Sequence, residues 1–389
     1  MDNENKPDPA PVLLFVVTED WYFLSHRIAL AKAAQAEGFA VHLATRIGDH
    51  GDRLRAEGII VHEMDWHRRS KNPLREARAL MALIRLNRKI RPAIVHTVAM
   101  KMIVYGALCQ VFAPPVFVVN AVSGLGSVFS HASPRTRMLR RAVRFVLSQF
   151  LSRQTGIVVV QNPDDGDFFR AEGFVPSDGI QLIPGAGIDT DRFQPGPEPQ
   201  GETIVASVVA RMLWDKGLAE TVEAARLLRA RGAPVRIRLI GPPDPENPNS
   251  VDEATLRQWN GEGLVEWMGA RSDIENVWAE SHIAVLASYR EGLPRSLLEA
   301  AACGRPMVTT DTSGCRMLVR SDDNGLIVPV GDAASLADAI EHLATHPDLR
   351  ARYGNRARER VMQSFSDAVI IADFLALYRN VLKKTSPAT

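Results

Sequence analysis

Two glutamates in the last third of the chain are spaced in a way that suits the binding of a polyhydroxylated ligand. Glu291 and Glu299 stand eight positions apart, and a glycine, a leucine and a proline directly follow the first of them. Glycine and proline predict a loop around Glu291, whereas residues 296–303 predict a short helix that holds Glu299 about one turn from its start. Carboxylates so placed can accept hydrogen bonds from hydroxyls on different parts of one ligand. A solvated helix with one exposed glutamate would show the same spacing.

A strand, a loop and a helix further upstream carry two cations and a glycine. Residues 204–210 predict a buried strand, which is followed by Arg211, by Lys216 and Gly217, and then by a helix over residues 218–231. A loop of this kind is a common phosphate site, because the cations and the free backbone N–H groups at the helix start attract anions. Either cation taken alone could equally be an ordinary surface residue.

Together these residues resemble the retaining glycosyltransferases of family 4, which have the GT-B fold. The resemblance spans nearly the whole chain and includes the phrases FLSHR, NAVSGLG, QNPDD, ARMLWDKG, SYREGLP, LLEAAACGRPMVTTD and DNGLIVPV. It is strongest to the bacterial subgroup that extends lipid-linked saccharides in O-antigen, capsule and glycan assembly. The resemblance implies an α/β protein of two doubly wound, Rossmann-like domains that face each other across a cleft.

The resemblance also implies how a nucleotide sugar is held. In the family, an arginine and a lysine grip the diphosphate, and the two glutamates of a Glu-x7-Glu motif contact the transferred sugar and the ribose. The catalytic positions here would be Arg211, Lys216 and Glu291, with Glu299 on the ribose. The expected donor-binding residues are Arg211, Lys216, Arg271, Glu291, Gly292, Leu293 and Glu299, with Arg271 touching the base through its backbone.

We therefore expect transfer of an N-acetylhexosamine or a hexose from a nucleotide diphosphate sugar to a polyprenyl-diphosphate-linked saccharide. Subgroup resemblance favours a UDP donor. No Asp-x-Asp motif stands where it could carry a metal in the cleft, so we expect no metal and no cofactor. Two alternatives remain, namely a nucleotide-sugar epimerase of the same fold and a non-catalytic scaffold that binds sugar nucleotides or lipid.

The bulk composition limits the class of protein and its partners. The 389 residues suit two domains of ordinary size, and 46 basic against 45 acidic residues give a formal charge of +1, which offers no general attraction for nucleic acid. The three cysteines are too few and scattered for a disulfide framework and predict buried, reduced thiols. No signal peptide is visible, and charged residues and prolines interrupt the most apolar region, residues 94–122. We expect a cytoplasmic protein, peripheral on the cytoplasmic face of the inner membrane.

Alternating strand and helix patterns run through the chain and predict parallel sheets with helices on both faces. Residues 1–190 form the expected N-terminal acceptor domain and residues 201–365 the C-terminal nucleotide-sugar domain. The Gly- and Pro-rich stretch 185–201 is the expected linker and part of a hinge whose closure would exclude water. The family resemblance implies that the final helix, 366–385, packs back on the first domain.

The first strand is followed by a glycine-free stretch, unlike the Gly-rich loop of many family members. Ser25 is a candidate N-cap of a helix that runs to residue 37, with His26 and Arg27 in its first turn. The subgroup shares this phrase, so His26 or Arg27 would act at the acceptor or the leaving phosphate. A capping and packing unit is an equal alternative.

Four further residues in the first half are candidates for acceptor binding. His96 ends a predicted strand, and an acceptor contact or a buried place in the core is equally compatible with this position. Lys101 follows the strand and could contact an anionic group of the acceptor. Two positions after His96, other family members frequently have a second histidine. This chain has Val98 there, so the role of that histidine is not carried over. The turn at Ser123 and Gly124 could offer backbone N–H groups to a substrate oxygen, or be a plain tight turn.

Residues 133–153 contain six arginines and no acidic residue, which predicts a basic amphipathic helix. Such a helix suits anionic headgroups or a lipid diphosphate, although a core-packed helix with a solvated basic face has the same pattern. The apolar side is expected to comprise Leu139, Val143, Val146, Leu147 and Phe150, and the lipid-facing side Arg137, Arg140, Arg141 and Arg144.

Overall fold

The computed structural model of the chain describes residues 10–67, 72–114, 116–124, 134–152 and 155–385. Two compact units are distinguished by their internal contacts. The first runs to Ala186 and takes up the chain again at Ile370, and the second covers Gly187–Val369. Strands and helices alternate in both units.

The first unit is built on a parallel sheet of seven strands in the order β3-β2-β1-β4-β5-β6-β7. In this unit, a short π-helix, Leu147–Leu151, directly continues helix α6. Its elements are β1 (Val12–Glu19), α1 (Asp20–His26), α2 (Ile28–Ala36), β2 (Ala40–Arg46), α3 (Gly51–Ala56), β3 (Ile60–Glu63), α4 (Pro73–Ile90), β4 (Ile94–Val98), α5 (Met100–Phe112), β5 (Phe117–Ala121), α6 (Pro134–Val146), β6 (Gly156–Val160), α7 (Pro163–Ala171) and β7 (Ile180–Leu182).

The second unit is built on a parallel sheet of six strands in the order β10-β9-β8-β11-β12-β13. The final helix begins in this unit and continues in the first. The elements are β8 (Ile204–Val209), α8 (Leu218–Ala230), β9 (Val235–Ile240), α9 (Glu253–Gly261), β10 (Glu266–Trp267), α10 (Ile274–Ala279), β11 (Ile283–Leu286), α11 (Arg295–Ala302), β12 (Met307–Thr310), α12 (Ser313–Leu318), β13 (Gly325–Val328), α13 (Ala333–Thr345), α14 (Pro347–Ser364) and α15 (Asp367–Thr385).

Each sheet has a point at which the order of its strands reverses. The chain enters at β1 or β8, moves outward through the next two strands, and returns to the other side with β4 or β11. Ligands of such sheets bind in the crevice at the carboxyl ends of the two strands that flank the reversal. In the second unit, a ligand is therefore expected at the loops that follow β8 and β11.

Both faces of the central strands are buried, which explains why these strands are continuous apolar runs in the sequence. In β11, the consecutive residues Val285 and Leu286 enter different hydrophobic clusters on opposite faces of the sheet. In β1, Leu13 and Leu14 do the same. The final helix contributes Phe374 to the cluster that contains Leu13.

The predicted start of the first long helix is wrong. The chain enters α1 at Asp20, directly after β1, and a break at Arg27 separates α1 from α2. Ser25 lies in the last turn of α1, where its hydroxyl donates to the carbonyl oxygens of Trp21 and Tyr22 instead of capping a helix start. The Asp20 carboxylate accepts a hydrogen bond from the Trp21 N–H at 2.7 Å and so stabilises the earlier start.

Two helix starts are capped by asparagine, and the prediction of buried thiols is confirmed. Helix α4 begins directly after its N-cap, Asn72, and residues 94–122 contain strand, helix and strand. Asn162 caps α7, which begins with Pro163. The three cysteines are buried free thiols.

Candidate active site

Gly217 brings the loop after β8 against the end of β11. Its φ is +69°, and a Cβ atom at this position would lie 2.0 Å from the carbonyl oxygen of Ala287. Only glycine fits there, because any side chain would collide with backbone. The backbone N–H of Tyr289 donates to the Asp215 carbonyl at 3.0 Å and fastens the two loops together.

This close approach places Lys216 on Glu291. Lys216 Nζ donates to Glu291 Oε1 at 2.6 Å, and the hydroxyl of Ser288 donates to the same oxygen at 2.6 Å. The Glu291 side chain is 10% exposed and that of Lys216 21% exposed, so the pair is sheltered but open to a ligand. Ser288 is completely buried, and its carbonyl oxygen accepts a hydrogen bond from Thr310, which anchors the loop to β12.

Arg211 stands at the start of the same loop and has a different carboxylate partner. Its Nη1 donates to Asp244 Oδ2 at 2.6 Å. Asp244 belongs to the loop that follows β9, the strand next to β8. Each of the two predicted phosphate-binding cations is therefore paired with a carboxylate.

Glu299 lies inside α11 and is almost buried. Arg295, one turn earlier, donates from Nε to Glu299 Oε1 at 3.0 Å. Burial raises the pKa of Glu299, and the charge and hydrogen bond of Arg295 oppose this shift. Sequence reasoning did not single out Arg295, although its i, i+4 spacing to Glu299 is a signal that could have found it.

The remaining predicted donor residues lie on neighbouring loops. Gly292 and Leu293 are partly buried between Glu291 and α11, and a Cβ atom on Gly314 would come within 2.5 Å of the Gly292 carbonyl oxygen. Arg271 follows β10, and its guanidinium donates to both carboxylate oxygens of Asp273 at 2.6 and 2.5 Å.

In the first unit, two predicted acceptor residues lie inside the hydrophobic core. His96 is completely buried, and its Nδ1 shares a hydrogen bond of 2.5 Å with the Tyr378 hydroxyl. Burial, with a smaller contribution from the Arg27 cation, holds the pKa of His96 well below its usual value. Arg27 is 2% exposed and its guanidinium lies over the Phe374 ring at 5.4 Å. These placements favour a packing function for both residues.

Lys101 and His26 are more accessible. Lys101 follows β4 and forms an ion pair of 2.9 Å with Glu76, while also donating to the His67 carbonyl oxygen at 2.7 Å. His26 stacks on Tyr22, and its Nδ1 lies 2.6 Å from the Ser25 hydroxyl. Lys101 is thus held at the point where the strand order of the first sheet reverses.

Two further acceptor positions follow β5. Ser123 and Gly124 are partly buried, and Gly124 has a φ of +109°. Their acceptor role stays a prediction.

Helix α6 is amphipathic, but its apolar residues are only partly covered. Val143 packs against the core and Leu147, in the following turn, is buried, whereas Leu139 is half exposed. Met138 and Phe145 are 75% and 63% exposed. The basic residues Arg137, Arg141 and Arg144 are exposed, Arg140 is partly so, and Arg144 is paired with Glu172.

The described part of the chain has neither a metal-binding cluster nor a helix fit to span a membrane. No group of three or more His, Cys, Asp or Glu side chains is arranged to hold a metal ion there. None of the helices within the same ranges combines the length and the apolarity that a membrane span requires.

Two family models match the chain and together cover most of both units. The model "Glycosyl transferase 4-like" matches residues 12–161, and the model "Glycosyl transferases group 1" matches residues 203–346. The second match contains all of the predicted donor residues.

Curated relatives and solved structures agree with these matches. The N,N'-diacetylbacillosaminyl-diphospho-undecaprenol alpha-1,3-N-acetylgalactosaminyltransferase of Campylobacter jejuni is 27% identical over 93% of this chain and 98% of its own length. The UDP-Gal:alpha-D-GlcNAc-diphosphoundecaprenol alpha-1,3-galactosyltransferase of Escherichia coli is 23% identical over 75% of this chain and 76% of its own. The Anabaena protein HepE, solved in complex with UDP and glucose, has a TM-score of 0.77 at 17% identity and covers 95% of this chain and all of its own.

Proposed function

We propose that the chain transfers a sugar from a nucleotide diphosphate sugar to a polyprenyl-diphosphate-linked saccharide. It belongs to the glycosyltransferases of the group 1 and 4-like families. The sugar is an N-acetylhexosamine or a hexose, the nucleotide is UDP, and the anomeric configuration is retained. The names of the Campylobacter and Escherichia relatives, both of which contain a diphospho-undecaprenol acceptor, support this acceptor class.

The contact of Lys216 with Glu291 is the observation that carries the proposal. Both residues stand at the carboxyl ends of β8 and β11, where the strand order reverses. A carboxylate for sugar hydroxyls and a cation for a phosphate thus lie within one hydrogen bond of each other. The sugar and the adjoining phosphate of a nucleotide sugar are joined by one oxygen atom, so these two neighbouring side chains can contact both groups.

The chemistry follows from the charges of this site. When the bond between the anomeric carbon and the phosphate oxygen breaks, its electron pair stays on the diphosphate, where Lys216 and Arg211 meet the added negative charge. The acceptor hydroxyl attacks from the same face of the sugar, and its proton passes to the leaving phosphate oxygen. Glu291 binds the transferred sugar, Glu299 the ribose, and no residue becomes covalently attached to the sugar.

The second unit is the nucleotide-sugar domain in this proposal, corresponding to residues 201–365. Residues 1–190, with the helix 366–385, form the acceptor domain. His26, Lys101, Ser123 and Gly124 are its acceptor contacts, whereas Arg27 and His96 act by supporting the fold from the core.

In this proposal, helix α6 docks on the cytoplasmic face of the inner membrane, which holds the acceptor. The exposed cations Arg137 and Arg141 face lipid headgroups, and Met138 and Phe145 enter the interface. Each cation near an anionic surface contributes about 1 kcal/mol. The double variant Arg137→Gln/Arg141→Gln is therefore expected to lose co-flotation with anionic vesicles while keeping nucleotide binding; unchanged flotation would contradict this docking.

Fixed side-chain cations take the place of a metal ion in this reaction. Arg211 and Lys216 carry the charge that a divalent ion would otherwise supply. We expect initial rates to be unchanged in EDTA. A rate that falls in EDTA and returns with Mg²⁺ or Mn²⁺ would reject metal independence but not the transfer itself.

The function is tested by measuring nucleotide release from a panel of UDP-, GDP- and ADP-sugars, with and without a polyprenyl-diphosphate-linked saccharide. We expect release of UDP that depends on the lipid acceptor, together with a product enlarged by one sugar. Nucleotide release without an acceptor, or isomerisation of the sugar, would favour the epimerase. Binding of a sugar nucleotide that Glu291→Gln does not affect, without any turnover, would favour the non-catalytic scaffold.

A further inference from the structure

We propose that Asp244 is a positioning residue for the donor diphosphate, because its ion pair holds the Arg211 guanidinium at the carboxyl end of β8. This inference rests on the proposed function, in which Arg211 binds the diphosphate. It adds a residue from outside the Glu-x7-Glu and Arg-Lys motifs, on the loop that follows β9.

The arginine needs such a partner. Arg211 Nη1 donates to Asp244 Oδ2 at 2.6 Å, and the two side chains are 40% and 20% exposed. Among the residues that the structure describes, this is the one hydrogen bond found for the Arg211 guanidinium. A long, half-exposed arginine without a partner populates many rotamers, and ordering it on a ligand costs free energy.

The loop that carries Asp244 is itself fixed along the arginine segment. The Met212 N–H donates to the Pro242 carbonyl oxygen, the Val251 N–H donates to the Met212 carbonyl oxygen, and the Trp214 N–H donates to the Asn249 carbonyl oxygen, each at 2.9 Å. Both ends of the loop are therefore paired with the backbone that follows Arg211.

Two further contacts fix the Asp244 backbone within that loop. The Asp244 N–H donates to the Ser250 hydroxyl oxygen at 2.9 Å, which closes the loop on itself. At its start, Gly241 passes so close to β8 that a Cβ atom would lie 1.8 Å from the Ala210 carbonyl oxygen. A carboxylate on a fixed backbone can therefore orient the more mobile arginine.

The geometry leaves Arg211 able to bind phosphate. A guanidinium has five N–H donors in a planar fork, and Asp244 engages a donor at one end of it. The other donors suit bidentate contact with phosphate oxygens. If Asp244 instead acted as a competing anion that the diphosphate must displace, its removal would tighten binding, so the two roles predict changes of opposite sign.

The test is a binding titration of the nucleoside diphosphate that the wild type selects from UDP, GDP and ADP, of its nucleoside, and of inorganic pyrophosphate. Asp244→Ala is expected to weaken the diphosphate and pyrophosphate about tenfold, as expected for one charge-assisted hydrogen bond. Nucleoside affinity stays unchanged. Asp244→Asn keeps an acceptor oxygen and recovers most of the loss, and Asp244→Ser serves as a second truncation if the alanine variant does not fold.

Arg211→Ala completes a double-mutant cycle. In that background, Asp244→Ala is expected to have no further effect, because the residue acts through the arginine. The matched control is Glu223→Ala, which removes the nearer of the two carboxylates paired with Arg226, in an exposed ion pair of 2.9 Å in the same unit. It is expected to leave all three affinities unchanged.

Three results would overturn the inference. Tighter diphosphate binding by Asp244→Ala would make Asp244 a competing anion. If Asp244→Ala weakened the nucleoside as much as the diphosphate, or weakened the diphosphate as much in the Arg211→Ala background as in the wild type, Asp244 would not act through Arg211. Failure of the wild type to bind any of the nucleoside diphosphates or pyrophosphate would reject the donor site and this inference with it. That third result is seen in the wild type alone, so it is distinguishable from the other two.

Discussion

At the scale of single residues, the two predicted phosphate-binding cations of the second unit are each paired with a carboxylate. Lys216 is paired with Glu291, and Arg211 with Asp244, both at 2.6 Å. Neither carboxylate can be removed without changing the potential that a diphosphate meets. Single substitutions therefore have to be compared with variants that remove both members of a pair.

The chemical role of Lys216 can be separated from its structural role in this way. Lys216→Met is expected to lower kcat by about 10²–10³, the usual effect of removing one charge-stabilising group, and to destabilise the fold because it leaves Glu291 without its counter-charge. The double variant Lys216→Met/Glu291→Gln should regain stability in urea denaturation but stay inactive. Recovery of kcat in the double variant would contradict a catalytic role.

Buried His96 makes the stability of the protein depend on pH. Because its folded pKa lies well below the unfolded value of about 6.5, the unfolded state binds a proton that the folded state does not. The stability contribution of neutral His96 is present above about pH 6.5 and falls below it, by up to about 1.4 kcal/mol per pH unit.

We expect His96→Gln to be less stable than the wild type at neutral pH, since it disturbs the bond to Tyr378, but to show a shallower decline in acid. Urea denaturation of both proteins from pH 7.5 to pH 5 measures the difference in slope. Parallel curves would mean that other groups cause the acid decline.

At the scale of elements, the close approach of the loops after β8 and β11 depends on Gly217. Gly217→Ala is expected to destabilise the second unit and abolish nucleotide binding, because the new Cβ atom would collide with the Ala287 carbonyl. Gly232→Ala is the matched control, since Gly232 also has a φ of +69° but a Cβ atom added there would meet nothing within 4 Å. The control should cost only about 1 kcal/mol, and thermal unfolding of both variants makes the comparison.

The linker is fixed to the second unit along much of its length. Arg350 is 5% exposed, forms two hydrogen bonds with Glu198, and caps α13 through the Leu343 and Ala344 carbonyl oxygens. Arg358 donates to the Phe193 carbonyl oxygen at 2.8 Å. A hinge extending over all of residues 185–201 would break these contacts, so we expect bending to be confined to the ends of the linker.

Arg350→Ala tests the strength of this attachment. We expect a loss of about 3–5 kcal/mol of stability, because the substitution leaves Glu198 and two helix carbonyls without their partner. Arg356→Ala removes an arginine of the same helix whose side chain is 57% exposed, and should cost less than about 1 kcal/mol. Equal losses in chemical denaturation would show that the contacts of Arg350 are not special.

At the scale of the whole molecule, the two units have separate sheets with separate strand reversals, and only the second carries the predicted donor residues. Donor binding should therefore stabilise the second unit near these residues. A ligand at 100 times its Kd stabilises the state that binds it by about 2.7 kcal/mol.

Hydrogen exchange with and without UDP is expected to show added protection in the segments that contain residues 211–217 and 288–299. The opposite end of the same sheet, around residues 232–235, should exchange as before. Protection spread evenly over both ends would contradict a site at the strand reversal.

The sequence by itself determined the α/β class, the alternation of elements and the family, because these follow from local hydrophobic patterns and from motifs of fixed spacing. It named Arg211, Lys216, Glu291 and Glu299 for the same reason. It could not find the support of these residues, since Ser288 and Asp244 gain their partners through loops that meet only in the folded sheet. It also misplaced Ser25, and it left the buried state of Arg27 and His96 open. Burial depends on which helix covers a strand end, and here that is α15, from the other end of the chain.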